Sequence, residues 1–240
     1  MKVIPVIDLL DGVVVHAKKG ERANYQAIQS QLTPSSQPLD IVAALLKVYP
    51  FEQLYIADLN AIQKLNGNYE NNYAVIAAIK QRYPKLELWV DAGIGNNTEL
   101  SLWQKLNLRL IIGSENFANI SNFALLNIQD SDFILSLDFL PQGYQGPAEL
   151  LTNNEYWPQD VIVMSLLNVG SNDGANIELM RDSISRAMGF NLIAAGGIRN
   201  SDDLIMLQSM GVESALIATA LHQKQISTEQ LETLDQLKAR

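Results

Sequence analysis

The chain contains no cysteine, which excludes disulfides, thiolate metal centres and a cysteine nucleophile, and makes the cytoplasm the expected compartment. Histidine is almost as scarce, with only His16 and His222, so a zinc centre is not expected and a Ser-His-Asp triad has little to draw on. No apolar run reaches the roughly 18 residues of a membrane span. The first apolar stretch is broken by Asp8, so a secretory leader is not expected either. There is no basic run, and 17 Lys and Arg stand against 26 Asp and Glu for a net charge of −9. That balance argues against nucleic acid as a partner. Carboxylates remain as the reagents in supply.

What is present is an ordered series of apolar runs. The 240 residues are 48% hydrophobic and 18% charged, enough to bury a sizeable core in one domain. Short β-branched or apolar runs recur, each closed by a small or acidic residue: Val3–Asp8, Leu54–Asp58, Leu86–Asp91, Leu108–Gly113, Phe133–Asp138, Val161–Ser165, Asn191–Gly196 and Ser214–Ala218. Most are too continuous for half-exposed strands. Between them, apolar residues fall at helical spacing, as in Ile41, Ala44, Leu45 and Val48, or Ile76 and Ile79, or Leu204 and Leu207. Eight strands alternating with helices predict a (β/α)8 TIM barrel. A doubly wound open sheet permits the same alternation, but no GxGxxG follows the first strand and eight units fill the usual barrel length.

An internal repeat points the same way. Ala92-Gly93-Ile94-Gly95-Asn96 matches Gly196-Gly197-Ile198-Arg199-Asn200, Leu100 pairs with Leu204, and Gly113-Ser114 aligns with Ala218-Thr219. The first and fifth runs also end alike, in Ile7-Asp8-Leu9 and Leu137-Asp138-Phe139. The chain reads as two (βα)4 halves forming one domain over residues 1–240 without a linker.

With these motifs in order, the sequence resembles the phosphoribosyl-isomerase and cyclase family of histidine biosynthesis, the HisA/HisF type. The resemblance runs over nearly the whole chain through IPVIDLLDG, YIADLNAI, IIGS, LSLD, AAGGIRNSDDL and IATAL. Within the family it looks like a diverged branch of archaea and methylotrophic bacteria that use tetrahydromethanopterin. The segments that carry this likeness are His16–Tyr25, Val169-Gly170-Ser171 and Ile217–His222.

In a barrel, strand C-termini share one mouth, so Asp8 and Asp138 are expected to face each other across it. The resemblance implies that this pair is the general acid and base of an aminoaldose-to-aminoketose isomerisation, which needs one protonated and one ionised carboxyl near neutral pH. Gly196, Gly197, Ala218 and Thr219, closed by Gly170 and Ser171, have the form of a phosphate cradle of backbone N–H groups. The repeat-related turn differs, because Asp91 ends its strand and would repel a second phosphate. Gly113 and Ser114 are left to hold something neutral or cationic. On strand six, Met164 stands where the isomerase has Thr, unless the register offers Ser165 instead.

Four acids, Asp8, Asp58, Asp91 and Asp138, are therefore expected around the mouth, compensated by protonation, by Mg²⁺ or by an amine-bearing substrate. No cofactor is required. His16, Lys19, Arg22 and Tyr25 lie on a long first loop able to fold over the site, whereas His222 reads as structural. The leading expectation is an isomerase-like enzyme acting on a phosphorylated sugar-amine other than the histidine-pathway substrate, in synthesis of a tetrahydromethanopterin-type carrier. The alternatives are the histidine-pathway isomerase itself and a non-catalytic barrel that binds a phosphorylated ligand. By fold analogy alone, a glutamine-driven cyclase partnership is a further one. The expected partner is a small phosphorylated metabolite, with no nucleic acid or membrane, and the expected assembly is a monomer or small homo-oligomer.

Overall fold

The computed structural model describes residues 1–17, 21–65, 72–128, 132–169 and 174–236. All eight apolar runs become parallel strands: β1 (Lys2–Leu10), β4 (Gln53–Asp58), β5 (Glu87–Asp91), β6 (Arg109–Gly113), β7 (Phe133–Leu140), β9 (Asp160–Ser165), β10 (Asn191–Ala195) and β11 (Ser214–Ile217). Each pairs with the next, and β11 pairs back onto β1 from Lys2 opposite Ser214 to Pro5 opposite Ile217, closing a (β/α)8 barrel. Three short antiparallel strands were not expected from the apolar runs: β2 (Val13–His16), β3 (Gln26–Ala27) and β8 (Gly143–Gln145).

The helices are α1 (Pro38–Val48), α2 (Leu59–Ile62), α3 (Tyr73–Arg82), α4 (Asn97–Gln104), α5 (Ile120–Ala124), α6 (Ala148–Thr152), α7 (Ile177–Arg186), α8 (Ser201–Ser209), α9 (Thr219–His222) and α10 (Thr228–Gln236). Asparagine starts several of them. Asn96 accepts the N–H groups of Thr98 and Glu99, and its repeat mate Asn200 accepts those of Asp202 and Asp203, satisfying donors that a helix cannot pair internally. The periodic residues Ile41, Leu45, Ile76, Ile79, Leu204 and Leu207 are buried, joining Leu54, Ile56, Leu88 and Val90 in the layer between strands and helices.

Alternate strand residues face inward and outward. Each of the eight barrel strands contributes to the inner core: Ile4, Tyr55, Trp89, Ile111, Ile134, Ile162, Ile193 and Leu216. Two residues beyond Val6, Trp89 and Ser136, the same inward parity delivers Asp8, Asp91 and Asp138 to the C-terminal mouth.

The repeat is visible in strand register. Asp8 lies opposite Ala57 as Asp138 lies opposite Met164, Ala57 opposite Asp91 as Met164 opposite Ala195, and Asp91 opposite Ile111 as Ala195 opposite Leu216. Each half opens with an antiparallel hairpin, pairing Asp8 with Val15 and Asp138 with Gln145.

Candidate active site

At the mouth lies a cavity of about 920 Å³, including its open entrance, lined by Asp8, Asp91, Glu115 and Asp138 and by Arg22, Tyr25 and Tyr55. Its opposite wall carries Gly196, Gly197, Ala218 and Thr219. Leu59, Ile62, Leu166 and Ile198 complete an apolar surround, a mixture usual for small-molecule sites.

The first βα connection builds one side. After β1 the chain turns at Asp11 and Gly12, both with positive φ (48° and 80°), as a two-residue hairpin turn requires. A second pairing, His16 with Gln26, brings it back as β3. Arg22 and Tyr25 thereby reach the cavity, as expected for a covering loop, and Lys19 lies outside the described residues.

Asp58 does not join the acids. Asp91 is level with Ala57, so Asp58, one residue further along β4, points out of the barrel. It is fully buried, and its Oδ1 accepts the Ala61 N–H (3.1 Å) and the Asn72 amide (2.7 Å). Asn72 and Asn60 in turn accept the N–H groups of Gly12 (3.0 Å) and Asp11 (2.8 Å). Asp58 is thus the base of a buried clamp that fixes the β1–β2 turn. Burial raises its pKa, against the hydrogen bonds from Asn72 and the backbone.

The fourth acid is Glu115, which the sequence reading missed. It follows β6, donates its N–H to Asp138 Oδ2 (3.1 Å) and pairs its Oε1 with Arg22 Nη2 at 2.5 Å. Neither Gly113 nor Ser114 is among the residues lining the cavity. A side chain at Gly113 would come within 3.0 Å of Asp138 Oδ2, and the Ser114 hydroxyl donates to the Gln145 carbonyl (2.6 Å). Both serve Asp138.

The mouth carboxyls sit in different fields. Burial pushes Asp138 up to about 8, helped by the charge of Glu115 and opposed by the Ser136 hydroxyl 2.6 Å from its Oδ1. Burial takes Asp8 to about 7, with the Arg22 guanidinium pulling down and Asp91 pushing up, and takes Asp91 to about 6, against the hydrogen bond from Gly93. Burial also opposes the charge of Arg22, but Glu115 and Asp91 overcome it and raise its pKa.

Met164 lines the cavity, while the Ser165 hydroxyl turns away to Asn168 Oδ1 (2.7 Å). The strand-six position is therefore apolar. His16 sits in a smaller neighbouring cavity with His222, its Nε2 3.4 Å from the Thr219 hydroxyl. His222 is buried with Nδ1 3.0 Å from Ser30 Oγ, and burial lowers its pKa to about 4, in keeping with a structural place. Gly170 and Ser171 lie outside the described residues. Among the described residues no group of three or more His, Asp or Glu side chains is disposed to hold a metal. No helix among them is long and apolar enough to cross a membrane.

The family model described as "Histidine biosynthesis protein" matches residues 2–227. The chain belongs to that family. Among its relatives, an uncharacterized protein of Methanocaldococcus jannaschii is 30% identical, covering 96% of this chain and 97% of its own. Two are named 1-(5-phosphoribosyl)-5-((5-phosphoribosylamino)methylideneamino) imidazole-4-carboxamide isomerase. That of Flavobacterium johnsoniae is 24% identical over 97% of this chain and 98% of its own. That of Nitrosopumilus maritimus is 25% identical over 98% and 99%.

Proposed function

We propose that this histidine-biosynthesis family barrel is an acid-base isomerase of a phosphorylated sugar-amine, converting an aminoaldose to an aminoketose with Asp138 as acid and Asp8 as base. The observation that carries this reading is a pair of carboxyls from register-equivalent strand ends, lining one cavity, both pushed up by burial toward neutral pH. Carboxyls so placed let one site keep an acid and a base together near neutral pH.

Asp138 gives its proton to the ring oxygen as the C1–O bond breaks, leaving an iminium at C1. Asp8 takes the C2 proton, and the C2–H electrons form a C1–C2 double bond as the C1=N π electrons return to nitrogen. Asp8 then returns that proton to C1 while the 2-hydroxyl proton passes to Asp138, giving the ketone and restoring both carboxyls. The turn at Gly196 and Gly197, beside Thr219, receives the phosphate through backbone N–H groups. The chemistry is complete with protein side chains.

The relatives named as isomerases favour the histidine-pathway reaction. Met164 and Asp91 in the cavity wall favour a different phosphorylated sugar-amine, and the motif likeness makes synthesis of a tetrahydromethanopterin-type one-carbon carrier its setting. Complementation of a histidine auxotroph lacking the isomerase separates the two. Failure to restore growth is expected, and robust growth would return the chain to histidine synthesis. Catalysis itself is tested by incubating protein with a phosphorylated aminoaldose in D₂O: deuterium exchange that disappears in Asp8→Asn and Asp138→Asn is expected. Exchange that persists in those variants would assign the proton transfer to other groups, and wild-type exchange no faster than a protein-free control would leave a non-catalytic binding barrel.

A further inference from the structure

The two glycine turns of the repeat occupy equivalent register positions but differ in what holds their N–H groups. In the second half, no protein acceptor among the described residues takes the N–H of Gly197, and Gly196 and Gly197 both line the cavity. In the first half, the N–H of Gly93, the mate of Gly197, is donated to Asp91 Oδ1 at 3.0 Å. The Gly95 N–H goes to Glu99 Oε2 (2.8 Å). That bond is shared by both halves, since Arg199 N–H binds Asp203 in the same place (2.9 Å). The difference therefore lies in Asp91, whose mate is Ala195, and beyond it in Glu115, whose mate is Ala220. Where one half has two alanines, the other has two carboxylates.

We infer that Asp91 is a built-in anion filling the position a second phosphate would take, so that the protein selects a substrate with a single phosphate. The inference rests on the reading of Gly196 and Gly197 as the phosphate cradle. The Asp91 oxygen satisfies the donor that a phosphate oxygen would need, and its charge repels any anion that approaches. Arg22 does not offset this, because Glu115 holds it in an ion pair. A substrate lying across the cavity then meets acceptors at its far end: Asp91, Glu115 and Asp8. That end carries hydroxyl or amine donors. The isomerases of Flavobacterium johnsoniae and Nitrosopumilus maritimus have two phosphoribosyl groups in their names, and Asp91 is the residue that would exclude such a ligand here.

The test is phosphate stoichiometry, read by titration with inorganic phosphate and by crystals soaked in it. Wild type is expected to hold one phosphate, at Gly196 and Gly197. Asp91→Ala, and more strongly Asp91→Ala/Glu115→Ala, which also frees Arg22, is expected to hold two, the second binding at least about tenfold more tightly than to wild type. A gain of stoichiometry cannot come from a merely weakened fold, and the wild-type soak needs no variant to be stable. A phosphate at Gly93 in wild type, or a cooperatively folded double variant that still holds only one, would overturn the inference while leaving the second-half cradle intact. Wild type with no phosphate at either turn would instead overturn the cradle, and the inference with it.

Discussion

The two halves of this barrel keep the same backbone and have parted in the side chains that fill it. Strand registers, opening hairpins and asparagine caps coincide, because closing the barrel constrains every strand against its neighbours. At the mouth the halves do opposite things. Among the described residues, the second presents the N–H of Gly197 without an acceptor, and the first presents acceptors. A duplicated scaffold can thus be divided into an anion-receiving side and a donor-receiving side without moving a strand, by changes at positions where the inward parity of the strand ends.

The most severe test of this division lies in what the halves share, since each supplies one reacting carboxyl. Asp8→Asn and Asp138→Asn are each expected to lower kcat/KM by about 10²–10⁴-fold; if either variant keeps full activity, the halves do not act as a pair. The wild-type profile of kcat/KM against pH should rise to a limb near 7, as Asp8 ionises, and fall beyond about 8, as Asp138 loses its proton. Next in size is the clamp, which belongs to the first half alone. Asp58→Ala leaves the Ala61 N–H and one of the two Asn72 amide N–H groups without an acceptor in a buried place, a loss of about 1–3 kcal/mol by urea unfolding. Ser165→Ala, at the matching register of the second half, should cost less. Equal losses would mean that the clamp holds nothing special.

A smaller effect concerns stability. Because the folded state raises the pKa of Asp8 and Asp138 above the unfolded carboxyl value, it binds protons that the unfolded state has released. Stability is then highest below pH 4 as far as these groups are concerned, and is lost as pH climbs through about 7 and 8. The Asn variants should therefore be more stable than wild type at pH 8 by about 1–2 kcal/mol, with the gain shrinking toward pH 5 in thermal melts. Smallest is the lid contribution. Arg22→Gln removes the charge that pulls Asp8 down, so the acid limb of the rate profile moves to higher pH; an unmoved limb would assign it to another group.

Much of this was legible in the residues. Continuous apolar runs closed by small or acidic residues located all eight barrel strands, since a strand buried on both faces has no polar alternation to obscure it. Asp8, Asp91 and Asp138 were placed at the mouth correctly and Asp58 was not, because ending a run is a weaker criterion than sharing its inward parity. Counting in twos from Tyr55 through Ala57 would have set Asp58 outside. The hairpin at Asp11 and Gly12 carried its own signal, an Asp-Gly between β-branched residues. Glu115 had none: nothing local separates it from a surface glutamate, and its meaning comes from Arg22, 93 positions away in sequence.

The closed end of the barrel bears on assembly. There Arg109 of the first half, stacked 5.4 Å from the Trp89 ring centroid, reaches Asp160 of the second at 2.5 Å. Gln53 binds Glu87 in one half, whereas Asn191 binds Asp160 in the other, with amide and acid exchanged. A pair of first halves would set Arg109 against Gln53, a largely buried cation facing an amide in place of its carboxylate. The seam between the halves thus carries an ion pair for which a second copy of the first half has no like partner.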